Sequence, residues 1–496
     1  MRVSKWAMAA AIAGLLRAGQ VLAQQPTDYG RNPAPGRAAT ARSMGYESYY
    51  GEDPAGEARA ADGPASPSDE PEGPIEGIKS VAATFDCDSS EEKEEEQKCC
   101  LNCPTTLRTL GDNVTLGPAK KITDHFNFYK RHPKWFASGW LAQSYTWNPY
   151  NKSGFNGPVT WTDQANQYQL NELYLYGGKN TDTGGDGWDL GGRIDAFYGS
   201  SYRWDTEAGL ESTFNKGHTY GLAITQFYGE VAYNDLKVKV GHFISPVGYY
   251  TVGTYLNFFN TIPYTYQYGE PFTHTGVLAN YQITEKVNWG AGVIHGWDNF
   301  DNTFNKHAGY LGTLTITGDK KDSLAWVQVY SIEPTMNAAK TFSDRYFQTL
   351  VYTRPFKEKW TYVAQSDFGV QGQATSTGHV ARWYGFNQYL YWKKNDVWSW
   401  GFNFEWFRDE EGFRVGAAVP SPGSPSALGY PLSGFAGSFY QCTMGPRWTP
   451  LPNLTVRPNF RCDWYDGSVN AAGLRPFDNG KLNFQQILGT DVIMTF

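Results

Sequence analysis

The chain has 496 residues, 16% of them aromatic and 18% charged, with a formal net charge of -7. An acidic balance without a basic face gives no support to nucleic-acid binding, and no segment of the mature chain is an apolar run long enough for a membrane-crossing helix. Low mean hydropathy with many aromatics fits a sheet protein in which only alternate residues meet an apolar environment.

In chain order, Arg2 and Lys5 give a positive start, Trp6 to Leu16 is a short apolar run, and Val21-Leu22-Ala23 is a small-residue cleavage site. That order predicts an export signal over 1–23, with Gln24 as the first mature residue. A buried amphipathic helix is the alternative. Residues 24–105 are rich in Pro, Gly, Ala, Ser and Glu. Within 24–103 there are seventeen acidic and seven basic residues, whereas the chain beyond balances to zero. Such a segment cannot bury enough apolar surface to offset chain entropy, so a disordered acidic tail is expected. It carries Cys87, Cys99, Cys100 and Cys103; export makes disulfides the default reading, with a metal cluster as the alternative. Residues 106–132 read as a periplasmic lead-in.

From 133 to 496 strand-like runs recur. Tight polar turns lie at Asn234-Asp235, 284–286, 318–320, 355–358, 393–396 and 450–453, with a looser one at 177–187. Long stretches alternate with them near 148–166, 200–217, 244–274, 298–306, 333–343, 371–377, 409–433 and 466–481. Short turns at one end and long loops at the other are the mark of an outer-membrane barrel. The expected fold is therefore all-β: a transmembrane antiparallel up-and-down β-barrel of about sixteen strands, with both chain ends on the periplasmic side.

Strand faces alternate with period two. Trp398, Trp400, Phe402, Phe404 and Trp406 oppose Ser399, Gly401, Asn403 and Glu405. Ile194 and Tyr198 oppose Arg193 and Asp195, Leu236, Val238 and Val240 oppose Lys237 and Lys239, and Val456 and Phe460 oppose Arg457, Arg461 and Asp463. A charge facing lipid at mid-bilayer costs about 2–4 kcal/mol, so the apolar sets face outward. That makes Arg193, Asp195, Lys237, Lys239, Arg457, Arg461 and Asp463 the expected pore lining. A one-sided sheet in water gives the same alternation.

The stretch 244–274 is long, aromatic and almost uncharged. Folded into the lumen it would narrow the bore with Tyr249, Tyr250, Tyr255, Phe258, Tyr264, Tyr266 and Glu270; an outward lid or a protomer contact is the alternative. Cys442 and Cys462 lie at equal distances from the turn at 450–453, on the apolar face. A cross-strand disulfide is expected if their Cα atoms lie within about 7 Å, and two lipid-facing thiols otherwise. At the end, Phe484, Gln486, Leu488, Thr490, Val492, Met494 and Phe496 share one strand face, and a terminal aromatic after such a strand resembles the assembly signal of outer-membrane proteins.

Gly241-His-Phe-Ile-Ser-Pro-Val-Gly-Tyr249, Glu270-Pro-Phe-Thr-His-Thr-Gly-Val277 and Gly296-Trp-Asp298, with Arg193-Ile-Asp195 ahead of Tyr198-Gly199, resemble the beta-barrel porin-2 family (BBP2, OmpL-like). The resemblance implies a porin-like barrel in the bacterial outer membrane. It carries over no binding residues, and it departs at Tyr250, where the family often has Glu. The resulting expectation is a passive or weakly selective pore for small hydrophilic solutes, with outer-membrane lipid as its surroundings, room for a homo-oligomer, and a mild preference for anions. The other reading is a plugged structural or adhesive barrel working through its loops. A third is a soluble sugar-binding sandwich. No Gly-x-Ser-x-Gly elbow, P-loop or His-Glu-x-x-His motif is present, so no enzyme, cofactor or metal is expected.

Overall fold

The structure, a computed structural model, describes residues 126–496 except 151–153, 206, 208, 212–214, 216–217, 302–304, 337–340 and 417–433. The export signal, the acidic tail with its four cysteines and the start of the lead-in lie outside the described residues.

Sixteen antiparallel strands close into one barrel. They are β1 (Trp135–Trp147) and then β4 (Gln167–Lys179), β5 (Trp188–Gly199), β6 (Gly221–Tyr233), β7 (Leu236–Ile244), β8 (Thr273–Thr284), β9 (Val287–Ile294) and β10 (Gly309–Thr317). The second half has β11 (Ser323–Pro334), β12 (Phe342–Phe356), β13 (Trp360–Gln371), β14 (Ala381–Lys393), β15 (Trp398–Asp409), β16 (Gly437–Leu451), β17 (Leu454–Gly467) and β18 (Phe484–Thr495). A two-stranded ladder, β2 (Gly154–Phe155) with β3 (Gln164–Ala165), sits in the connection after β1. Each barrel strand pairs with its sequence neighbour, and β18 returns to β1. Regular α-helix among the described residues is short, at Asn127–Arg131 and Tyr202–Asp205, with Leu210 and Glu211 helical as well.

The alternation of connections follows the polar turns. Two residues join β6 to β7, β8 to β9 and β16 to β17 at one end, whereas 245–272 and 410–436 are connections at the other. Both barrel ends of the chain lie at the short-turn end. There Phe496 donates its N–H to the Gly139 carbonyl (3.0 Å) and Gly139 donates back to Phe496 (3.1 Å). A Cβ at Gly139 would stand 2.7 Å from the Phe496 ring, so the seam requires glycine.

The outward faces are those the alternation predicts: Trp400, Phe402, Ile194, Tyr198, Val240, Leu488 and Met494 are exposed, as a lipid-facing band demands. The inward faces depart from a uniformly polar lining. Ala325, Val327 and Val329 of β11 point inward and are buried, as are Phe347 and Val351 of β12. The reason is that the barrel holds a core. Two buried clusters join wall residues such as Tyr174, Phe197, Tyr389, Trp383 and Phe439 to residues of the connection between β7 and β8.

Cys442 and Cys462 stand opposite each other in the β16–β17 register, yet both are free thiols. This corrects the expected disulfide. Paired residues of a ladder project side by side from one face. Register alone does not turn two sulfurs into the narrow distance and dihedral range that a bond requires.

Candidate functional site: an inward arm and its grip

The connection from β7 to β8, residues 245–272, enters the barrel. Apart from Pro246, Tyr255 and Leu256, every residue of this arm is buried. It has too little regular structure to satisfy its own backbone, only a turn at Thr254–Leu256 and another at Thr265–Gly269. Buried backbone groups need partners, and side chains of the wall supply them.

One set of partners forms a belt. Gln365, Asn387, Glu405, Gln441, Asp463 and Gln485 are consecutive register partners across β13 to β18, all facing inward. From this belt Gln365 accepts the Tyr249 N–H at 3.1 Å and donates to Glu270. Glu405 accepts the Tyr264 N–H at 2.7 Å and both the N–H and hydroxyl of Thr265. Asp463 accepts the Tyr264 hydroxyl at 2.8 Å. Gln485 donates to the Asn156 carbonyl at 2.9 Å, which ties in the loop after β1.

A second set holds the tip, nearer the short-turn end. Arg457 donates to the carbonyls of Thr254 (3.0 Å) and Asn257 (2.6 Å) and to Asp491 (3.0 Å). Arg461 donates to the Ile262 carbonyl (2.6 Å), the Thr261 hydroxyl (2.8 Å) and Asp463 (2.9 Å). Glu172 accepts from Trp140 Nε1 (2.7 Å) and the Thr254 N–H (2.9 Å). At the arm's return, Trp383 donates to the Gly269 carbonyl at 3.0 Å. Gly248 has φ +75°, and a Cβ there would fall 1.9 Å from the Glu270 carboxylate, so the carboxylate is seated on the glycine. Burial, then the Asp367 carboxylate beside it, pushes Glu270 well above the usual carboxylate range.

The arm's aromatic residues pack on the wall and on one another. Tyr249 and Tyr250 lie 4.8 and 5.6 Å from the ring of Tyr389. Phe258 lies 4.7 Å from Tyr391, Tyr264 5.0 Å from Phe439, Tyr266 5.1 Å from Phe272 and Tyr255 5.6 Å from Trp140.

The residues expected to line a pore all face inward, but they divide into two groups. Arg457, Arg461, Asp463 and Asp195 are buried and engaged. Arg193 keeps partial exposure while paired with Asp195 at 2.6 Å, and its guanidinium lies over Tyr176 at 5.1 Å. Lys237 and Lys239 of β7 are also partly exposed, as are Glu230, Asn280, Asn288 and Thr315 on neighbouring strands. These six occupy the short-turn half of the β6–β10 wall, where the inner surface is polar and open. Lys237 donates to the Thr181 carbonyl at 3.2 Å, and Lys239 lies 4.3 Å from the centre of the Tyr228 ring.

Glu172, Gln365, Glu405, Asp491 and Gln485 were not singled out by the sequence. Glu405 and Asp491 carried a signal. Each is an acid on the inner face of an aromatic strand, which needs an interior partner to be tolerated.

An inward arm gripped by the wall of a sixteen-stranded antiparallel barrel, with an outward apolar band, defines a porin-type outer-membrane barrel. The chain belongs to the family described as "Putative beta-barrel porin-2, OmpL-like", matched over residues 136–496. Among solved structures it is similar to Pseudomonas putida OprB, at 12% identity and a TM-score of 0.50, covering 76% of this chain and 99% of that one. The anion-selective porin from Comamonas acidovorans matches at 10% identity and 0.47, covering 73% and 99%. OmpT of Vibrio cholerae matches at 8% and 0.46, covering 73% and 97%. The likeness to OprB is one of fold. No curated protein matches the chain.

Proposed function

We propose that the protein is a diffusion channel of the bacterial outer membrane for small hydrophilic solutes, with its bore set by the arm 245–272. The short-turn end then faces the periplasm and the long loops face outward, as in barrels of this kind. The observation that carries the reading is the grip. Arg457, Arg461, Glu172 and Glu405 are charged residues buried inside a membrane barrel, and each bonds the arm. Buried charges are costly unless paired, so a chain that keeps four of them on one segment is fixing that segment's place in the lumen. The expected anion preference rests on fewer charges than the alternation suggested. Arg457 and Arg461 are neutralised by Asp491 and Asp463, which leaves it to Arg193, Lys237 and Lys239 in the open vestibule.

A plugged barrel is the second reading, favoured by the burial of nearly the whole arm. Planar-bilayer recording of the folded mature protein separates the two. Discrete conductance steps support the channel. Their absence, with steps restored when residues 250–266 are replaced by a Gly-Ser linker, supports the plug. If neither protein gives steps, the channel reading is wrong.

A further inference from the structure

Arg447 of β16 faces inward and is 2% exposed, and its side chain makes no hydrogen bond among the described residues; its Nε and Nη2 atoms are buried without a partner. The ring of Tyr255 lies 5.5 Å from the guanidinium carbon. Trp448 pairs with Val456 across β16 and β17, which sets Arg447 opposite Arg457, with Thr455 diagonal to it at the next inward position of β17. The Thr455 hydroxyl is buried and unpartnered as well. Asp491 and Glu172 are the carboxylates of this neighbourhood, and both are engaged elsewhere. Asp491 takes Arg457 through two nitrogens, and Glu172 takes Trp140 and Thr254.

A buried guanidinium holds up to five donors in a fixed fork suited to carboxylate or phosphate oxygens. Left unpartnered in a place that already holds a second arginine, it is a group built for an anion the protein itself does not supply. We propose that Arg447, with the Thr455 hydroxyl and the field of Arg457, is a binding site for a small oxyanion, a phosphate or carboxylate, reached from the vestibule past Tyr255. Tyr255 and Leu256 are the partly exposed residues at the arm's tip, so the ring beside Arg447 is itself partly exposed. The inference rests on the vestibule being a solute path, and it gives that path an anion stop beneath the arm.

The test is calorimetric titration of the detergent-solubilised full-length mature protein with inorganic phosphate and, separately, acetate. The expected result is one saturable site, weakened about tenfold or more by Arg447→Met, since a hydrogen bond to a charged group is lost. Thr455→Val should weaken it several-fold, and Lys393→Met, at an exposed pair with Asp396, should leave it unchanged. Should Arg447→Met fail to give the fast-migrating folded band on unheated gels, Arg447→Lys keeps the charge and loses the fork; it should fold and bind phosphate several-fold more weakly. No saturable binding by folded wild-type protein, or equal binding by a folded Arg447 variant, overturns the site. Binding without conductance steps would leave the site standing and remove the channel, whereas steps without binding would do the reverse.

Discussion

The two halves of the inner wall treat the lumen differently. From β13 through β18 to β1 the wall is a grip. Its inward residues are buried, charged residues are spent on the arm's backbone, and aromatic rings fill the space between. From β6 to β10, at the short-turn end, the wall is open, with Lys237, Lys239, Glu230 and Asn280 partly exposed. Both halves alternate along each strand between an inward and an outward face. The difference is that one half meets the arm and the other keeps partial exposure. A buried charge with a partner fixes structure, whereas an exposed one in a vestibule sets the field felt by passing ions.

The sharpest way to break this comparison is to remove the arm. Replacing 250–266 with a Gly-Ser linker should raise single-channel conductance several-fold, or create it where there was none, because the gripped half becomes a second open half. Next comes Arg457→Met, which strands Asp491 and frees the carbonyls of Thr254 and Asn257. Removing one partner of a buried pair costs about 3–5 kcal/mol. The expected outcome is a lower thermal unfolding midpoint and noisier, larger current steps; an unchanged midpoint would mean that the grip is not structural.

The double variant Lys237→Gln with Lys239→Gln should do the opposite. Stability should move by no more than about 0.5 kcal/mol, as for substitutions away from packed features, while the reversal potential in a salt gradient shifts toward cations. A cation preference in the wild type would end the anion reading of the vestibule. A smaller effect concerns pH. Burial, then Asp367, pushes the Glu270 carboxyl well above its ordinary range, with Glu405 adding to the same effect. A raised folded value means that the arm's docking is fully supported in acid and weakens as pH rises through that value. Conductance or its noise should therefore grow with pH above the ordinary carboxylate range, and Glu270→Gln should flatten that dependence. Smallest of all, Cys442→Ser should leave the unfolding midpoint under oxidising conditions within about 0.5 kcal/mol, because the thiols are free; a large drop would restore the disulfide.

Much of the fold was legible because a membrane imposes a strict local rule. A strand crossing lipid must show apolar residues on alternate positions, and its turns must be polar. Trp398 to Trp406, the turns at Asn234-Asp235 and 450–453, and the terminal Phe496 each obey it, and the strand count follows. The arm was legible by violation, being too aromatic and too uncharged for a surface loop. Its partners were not. Glu172, Gln365 and Glu405 lie 82, 116 and 141 residues in sequence from the arm groups they hold, and Asp491 acts on the arm through Arg457. Nothing local marks an inward carboxylate as gripping rather than lining.

Alternation within each strand, which is a property of neighbouring residues, thus determined the barrel, its outward band and the inward set from the sequence alone. Only the closed tertiary structure decided which inward residues meet the arm and which meet water. That outcome depends on the register of sixteen strands and on where a 28-residue connection comes to rest among them. Burial inside a barrel is set by what fills it, and the filling comes from a distant part of the chain.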